Sequence, residues 1–373
     1  MKKIFPYILI TFGLFLLLVL KHPEIYKYKF NQNLIHDYLR SQDIEDPQGK
    51  IKDRIFLSDN DIYITSGYLY AKGEDPSKYN FQHPPLIKYL FGFSTVLTGN
   101  PFWIQVLFGL TLLFLTYFLG TKLFKSKTVS LIAAGFLLID PVFGGMMNET
   151  LLDLGQAVFA LGCIILIFFY PESYILQGLI LGLFAASKFW STAIFFIILI
   201  FFYKIYIRKE KIDFRKVGFS FLIAFLIFSL TYIKSFINAN GLFNLFAFEA
   251  RVLRFMLAHN SASFIGGPIL LFISGFFAPW WHLPAGGQGA GVARAGDWSF
   301  LWPVGLIVSL YLALKTKIKD VKFFFYLLPL TFLLLSSTQV PFTRYFIVIL
   351  PFVYLDLAGF LTQLPDIFRG IST

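Results

Sequence analysis

The chain alternates between long apolar runs and short basic segments, with one extended polar stretch near its start. Met1-Lys2-Lys3 precedes an apolar run from Ile4 to Leu20. No small-residue cleavage site follows, only Lys21-His22-Pro23-Glu24, so the run reads as a retained first span with its N-terminus in the cytoplasm. From about Lys21 to Gln82 the chain is polar and charged. Within that stretch Asn33 to Leu39 and Ile62 to Ala71 are expected to form short amphipathic helices on the outer membrane surface. Leu86 to Leu97 follows as a short apolar segment, interfacial or half-spanning. Spans are then expected near 102–120, 129–147, 151–170, 175–187, 189–205, 216–236, 301–314, 323–337 and 343–362. Several of these runs approach the roughly 20 residues that cross a bilayer as a helix. They do not alternate in polarity, as the strands of a membrane barrel would.

The expected fold class is therefore all-α, a polytopic helical membrane protein with about 10 (10–12) transmembrane helices. It reads as one domain over residues 1–373, with a first outer loop at about 21–85 and a second at about 238–299. Basic segments set the orientation. Lys122, Lys125 and Lys127 form one, Lys204, Arg208, Lys209, Lys211, Arg215 and Lys216 another, and Lys315, Lys317, Lys319 and Lys322 a third. All fall on the side of Lys2 and Lys3, the cytoplasmic side by the positive-inside rule, in a multi-pass protein of the plasma membrane. This agreement requires that Ala262 to Trp281 not cross fully, or that a further segment compensates. The tract from Pro279 to Gly296, with Gly286, Gly287, Gly289 and Gly291, is then an outer loop. It reads equally as a mobile lid or as a plain connector.

Composition sharpens the class. Only 14% of residues are charged, 57% are hydrophobic and 20% aromatic, where soluble domains carry about 25% charged residues. The net charge of +11 sits largely in the short segments between apolar runs. There it sets topology and attracts anionic lipid, and it is no nucleic-acid signal. The single cysteine, Cys163, excludes an internal disulfide. There is no P-loop, HExxH or Gly-rich dinucleotide motif, and His83 and His259 lack metal-ligand spacing to another histidine. The short basic cytoplasmic loops offer no domain for a nucleotide-sugar donor.

The chemistry-bearing residues concentrate at the expected outer face. Asp59 and Asp61 stand in the first outer loop, where a carboxylate serves as base toward a hydroxyl acceptor or is simply a solvated loop acid. Glu74 and Asp75 read as turn residues before Pro76. Asp153 lies at a span end in Asn148-Glu149-Thr150-Leu151-Leu152-Asp153, where an ionisable group asks for a partner. The alternative is an acid favoured by the helix dipole, which suits Glu149 better. Lys188 interrupts an apolar run from Ile175 to Tyr203 that as one helix would measure about 43 Å. A break at Ser187-Lys188 puts the lysine at the outer face, to pair with a lipid phosphate or to snorkel. Arg344 opens the last span with a guanidinium suited to phosphate. Lys234, Arg251 and Arg254 are further cations on that side.

In this order the residues resemble the polyprenyl-phosphate-sugar-dependent glycosyltransferases of GT-C architecture, and most closely the protein O-mannosyltransferase group. Asp59-Asn60 matches an Asp-Glu pair, with Tyr63, Gly67 and Lys72 at similar offsets. His83-Pro84-Pro85-Leu86-Ile87-Lys88 matches His-Pro-Pro-Leu-Gly-Lys, with Ile87 for glycine. Asn148 to Asp153 matches Arg-x-x-x-Leu-Asp, and Gly182 to Phe189 matches Gly-x-x-x-x-Ser-Lys-aromatic. Trp298-x-x-x-Trp302-Pro303 resembles a Trp-x-Trp-Pro segment, and Arg344 to Pro351 an Arg-x-x-Phe…Pro closing helix. The departures are Asn60 for the second acid, Asn148 for an arginine, a short chain for the group and no added acceptor-binding domain. A shifted alignment makes Asp61 the base instead.

The resemblance implies transfer of a sugar, mannose first, from a polyprenyl-phosphate carrier to an acceptor hydroxyl of protein, glycan or lipid, with inversion. Asp59, Asp61 and Asp153 are the expected catalytic residues. His83, Lys88, Asn148, Glu149, Lys188 and Arg344 are the expected substrate contacts, with His83 in a structural part. No cofactor is required and a divalent metal is left open. The expected partners are the lipid-linked donor, the bilayer and the acceptor, with no nucleic acid; oligomeric state is not legible. Two other classes stand beside this one. A lipid-linked sugar flippase needs a polar path across the membrane, and a catalytically inactive glycolipid-binding relative is favoured by Asn60 and Asn148.

Overall fold

A backbone in lipid must satisfy its own hydrogen bonds, which favours helices. The computed structural model describes residues 4–41, 55–259, 265–278 and 292–371, and those residues are overwhelmingly helical. The first helices are α1 (Phe5–Lys21), α2 (Asn33–Ser41), α3 (Asp59–Ala71), α4 (Leu86–Thr98) and α5 (Phe102–Phe124). Next come α6 (Lys127–Ile139), α7 (Pro141–Met146), α8 (Asp153–Phe169), α9 (Tyr174–Ser187) and α10 (Trp190–Phe202). They are followed by α11 (Phe214–Leu230), α12 (Ile233–Asn238), α13 (Leu245–His259) and α14 (Gly267–Ser274). The chain closes with α15 (Leu301–Lys315), α16 (Val321–Leu335) and α17 (Leu350–Ile371). The strands β1 (Phe276–Phe277) and β2 (Ala293–Arg294) pair antiparallel, with Phe276 opposite Arg294. Among the described residues, three helical stretches are long and apolar enough to cross a membrane, Phe102–Phe124, Trp190–Ile207 and Val321–Thr338, with seven shorter apolar helices beside them.

Two expected spans are interrupted, and one expected break is found. The run 129–147 divides at Asp140-Pro141. Asp140 is extended, and its carboxylate accepts from the N–H groups of Val142 at 2.8 Å and Phe143 at 3.2 Å, capping α7. The expected break at Ser187-Lys188 is present: the backbone of Lys188 and Phe189 leaves the helical region between α9 and α10. The run 343–362 begins as a 3₁₀ turn, Thr343–Val348, before α17. Of Ala262 to Trp281, the described part holds the strand β1 and one helix, α14. Its eight residues rise about 12 Å, less than half of a bilayer core. The glycine cluster Gly286 to Gly291 lies outside the described residues.

α13 was not anticipated. Glu249, Arg251 and Arg254 lower its hydropathy, yet Leu245, Phe248, Val252 and Met256 form one buried stripe at helical spacing.

Glycines set two close helix crossings. A Cβ on Gly67 of α3 would lie 2.1 Å from the Lys88 carbonyl oxygen, and one on Gly92 of α4 would lie 1.8 Å from the Gly67 oxygen. The α3–α4 hairpin thus packs backbone on backbone. Gly178 and Gly182 of α9 play the same part against Ser220 and Ala224 of α11, whose carbonyl oxygens would lie 2.7 and 2.8 Å from added Cβ atoms. Facing small residues at four-residue spacing are how helices associate in lipid, where burial alone gives little drive.

α5, α6, α8 and α17 enclose the main core, with Leu112, Leu137, Leu154, Ile164 and Tyr354 fully buried. The three basic segments gather at one end of this bundle. Lys122 lies 5.2 Å from the Tyr170 ring centroid. The Tyr203 hydroxyl, beside Lys204, lies 2.9 and 2.5 Å from the carbonyl oxygens of Ile318 and Asp320.

Candidate active site

At the other end of α8, two chain breaks and two helix N-termini bring charged side chains together. Ser58 caps α3: its hydroxyl accepts from the Asp61 N–H at 3.2 Å and donates to the Asp61 carboxylate at 2.8 Å. Asp61 is thereby used in the cap, and Asp59 begins the helix. Asp153 likewise begins α8. Both carboxylates sit where the helix dipole favours negative charge.

Arg344, from the 3₁₀ turn ahead of α17, reaches both. Its Nη2 donates to Asp59 Oδ2 at 2.8 Å, and its Nε lies 4.0 Å from Asp153 Oδ2. The other Asp153 oxygen accepts from Lys188 Nζ at 2.5 Å. Lys188 reaches it because α9 ends at Ser187; its ammonium lies 4.1 Å from the Tyr345 ring centroid. The result is an alternating chain, Asp59, Arg344, Asp153, Lys188. Its exposure is graded: the Asp59 side chain is 43% exposed, Arg344 20%, and Asp153 and Lys188 3% each. One end meets the surroundings and the other is closed in the bundle.

The remaining predicted residues surround this chain or brace it. Gln105 Nε2 donates to the carbonyls of Glu149 and Leu151, fixing the loop that carries Glu149. Burial pushes the Glu149 carboxyl above its usual range; Arg344 opposes this, while Asp297, Asp153 and Asp59 add to it. Thr150 donates to the Asn60 carbonyl at 3.3 Å, tying that loop to α3. Asn148 Nδ2 lies 2.7 Å from His22 Nε2. The His83 ring packs edge-on to Phe189 at 4.8 Å and Tyr63 at 6.0 Å. Burial first, then the charges of Lys188, Lys88 and Arg344, hold His83 well below the usual imidazole range.

Lys88 occupies a different place from the others. Its ammonium donates to the Asn80 carbonyl at 2.6 Å, the His83 carbonyl at 2.9 Å and Asn80 Oδ1 at 3.1 Å. These contacts use all three of its protons. Lys88 therefore braces the turn that delivers His83, and its charge is spent inside the fold.

Three neighbours escaped sequence reasoning, and a fourth, Tyr63, entered it only as a motif offset. Tyr63 lies one helical turn beyond Asp59 and is fully enclosed beside Arg344. Tyr345 carries the ring under Lys188. Asp297 accepts from the Thr343 hydroxyl at 2.6 Å, next to Arg344. Gln156 shares a small cavity with Lys188, Thr192, Gln339 and Tyr345, and its buried Nε2 has no partner. The Asp153-to-Gln156 spacing, one helical turn, was the available signal for the last. No group of three His, Cys, Asp or Glu side chains among the described residues is arranged to hold a metal ion.

No family model matches the chain, and no curated protein matches it in sequence. Its fold is similar to that of ArnT from Cupriavidus metallidurans in the apo state, with a TM-score of 0.57 and 14% identity over 82% of this chain and 55% of that one. It is equally similar to ArnT from the same organism bound to undecaprenyl phosphate, at TM-score 0.57 and 14% identity over 82% of this chain and 57% of that one. The chain thus spans little more than half the length of the proteins it matches. The likeness does not single out the protein O-mannosyltransferase group. The fold is an all-α polytopic membrane bundle similar to that of ArnT.

Proposed function

We propose that the protein is a membrane glycosyltransferase that takes its sugar from a polyprenyl-phosphate carrier. The observation that carries this reading is the alternating chain Asp59, Arg344, Asp153, Lys188, assembled from α3, α8, the α9–α10 break and the turn before α17. Buried ion pairs are a poor source of stability, because desolvation offsets their attraction. Ionisable groups in a membrane bundle are therefore a functional signal. The likeness to ArnT bound to undecaprenyl phosphate supports the same lipid class as donor.

The chemistry follows from the gradient of exposure. An acceptor hydroxyl approaches Asp59, the open end of the chain, and gives up its proton to that carboxylate as its oxygen bonds to the anomeric carbon. The bond from that carbon to the phosphate oxygen breaks on the opposite side, inverting the centre. The leaving polyprenyl phosphate gains one negative charge. Arg344 and Lys188 meet that charge in a site of low dielectric, where fixed cations act strongly. Asp153 holds both cations in register. His83 and Lys88 act as scaffold. The motif order from Asp59 to Lys88 supports mannose as the first donor to try, and protein, glycan or lipid hydroxyls as acceptors. The basic segments at the opposite end of the bundle support a site on the outer face.

The test is transfer by purified protein from a panel of radiolabelled polyprenyl-phosphate sugars to membrane acceptors, with Asp59→Ala alongside. Transfer from one donor is expected, falling about 10²–10⁴-fold in the variant with lipid binding kept. Full transfer by Asp59→Ala removes the carboxylate from the reaction.

A further inference from the structure

A groove runs along α9, α10 and α11, and nothing in the catalytic reading uses it. Near Lys188 it opens as a cavity of about 310 Å³ lined by Trp190, Ile194, Phe225, Phe246 and Glu249. Leu181, Ile197 and Phe221 line both this cavity and a constriction of about 20 Å³ below it. Ile167, Gln177, Phe201 and Val217 line both the constriction and a second cavity, of about 380 Å³, at the basic end of the bundle. From Ala185 in the upper cavity to Tyr174 in the lower one, α9 rises about 17 Å. That is about half of a bilayer core, the depth of one leaflet.

The two ends differ in chemistry. Apart from Glu249 the upper wall is apolar and aromatic. The lower mouth carries Lys204, Lys211 and Lys216. A π-helical turn, Tyr203–Ile207, builds it, and such turns recur at functional sites. Its carboxylates are already engaged. Glu210 pairs with Lys204 at 3.0 Å and Arg208 at 2.6 Å, Glu172 pairs with Lys216 at 2.5 Å, and Asp213 caps α11. The cavity is lined by three lysines and these three acids; Arg208, Lys209 and Arg215 adjoin it in sequence, so the segment 204–216 taken with Glu172 carries three net positive charges. Lys211 is exposed there.

We propose that this groove is a binding site for one anionic phospholipid. Its headgroup phosphate lies against Lys211, Lys216 and Lys204, and one acyl chain runs up between α10 and α11. The site stands at the opposite end of the bundle from Asp59 and is independent of the proposed transfer reaction.

The test uses the full chain in neutral detergent and native mass spectrometry with phosphatidylglycerol and phosphatidylcholine of matched acyl chains. Phosphatidylglycerol is expected to be retained preferentially. The double variant K211E/K216E is expected to weaken it at least about thirtyfold, from roughly one factor of five for each cation removed, with phosphatidylcholine unchanged. The double variant K317E/K319E makes the same charge change at the same end outside the groove and is expected to leave retention intact. Equal retention of the two lipids, or equal loss in both double variants, overturns the proposal in favour of annular lipid. Displacement of phosphatidylglycerol by polyprenyl phosphate also overturns it, by assigning the groove to the donor's tail. Glycerol phosphate binding as tightly as the intact lipid removes the groove from the site.

Discussion

Asp140 and Asp153 are both buried carboxylates, at 3% and 2% exposure, and they are held in opposite ways. Asp140 meets neutral donors alone. One oxygen accepts the N–H groups of Val142 and Phe143, and the other accepts Trp302 Nε1 at 2.8 Å and the Tyr354 hydroxyl. These bonds join α7, α15 and α17, and every partner is satisfied. Asp153 meets cations, and polar capacity is left over around it. Arg344 Nε, His83 Nδ1, Gln156 Nε2, Asn60 Oδ1 and Asn148 Oδ1 are all buried without a hydrogen-bond partner. Buried polar atoms are nearly always paired; four of these five adjoin the charged chain, which agrees with the proposed site, while others such as Tyr38 Oη and Ser229 Oγ lie elsewhere. One carboxylate is a joint; the other belongs to the proposed site.

That contrast is broken most directly through Arg344. Arg344→Gln should lower transfer about 10²–10³-fold, the loss typical of a fixed transition-state donor. It should change unfolding stability by only about 1 kcal/mol, because Asp59 is half-exposed and Asp153 keeps Lys188. Asp140→Ala should do the reverse. It uncaps α7, worth about 1 kcal/mol, and strands two buried donors at about 1–3 kcal/mol each. A loss of about 3–7 kcal/mol follows, with transfer per folded molecule unchanged. Parallel thermal unfolding and turnover assays on both variants decide it. If Arg344→Gln unfolds the protein, or Asp140→Ala stops turnover in a stable one, the two carboxylates are not different in kind.

The sequence carried the bundle well and the site in part, for reasons that differ by residue. Long apolar runs set the helices because lipid leaves a backbone few choices. The break at Lys188 was legible from length alone. The division at Asp140 was not: an apolar count passes over one capping acid and one proline, although Asp-Pro inside a run was a visible signal. α13 was hidden by its charges. Arg344 and Asp59 are 285 positions apart, and their contact depends on how the bundle brings the start of α3 to the turn ahead of α17. Nothing local records it. Lys88 shows the opposite limit. A motif places it beside the site, whereas its three hydrogen bonds spend it on the loop.

The smallest expected effect is also the one with a definite sign. His83 is enclosed with Lys188, Lys88 and Arg344 near it, so folding holds its pKa well below the ordinary 6.5. Below about pH 6.5 the unfolded chain takes up a proton that the folded one refuses. The contribution is complete above that pH and is lost as pH falls toward the folded value, at no more than about 1.4 kcal/mol per pH unit. Glu149 works the other way. Burial raises its pKa above 4.5, so its neutral form is favoured on folding and stability declines as pH rises through the folded value. Over the weakly acidic range the two slopes oppose each other, and the native profile alone does not separate them. His83→Gln removes the first and leaves the second. Thermal unfolding of this variant between pH 5 and 7.5 should lose the acid-side decline, so that its difference from the native protein shifts with pH by a degree or more per unit. Parallel profiles for the two proteins would mean that His83 takes its proton in the folded state as readily as in water. In that case the ring is wetter than its packing against Phe189 and Tyr63 implies, and the imidazole belongs with Asp153 among the site's groups instead of with Asp140 among its joints.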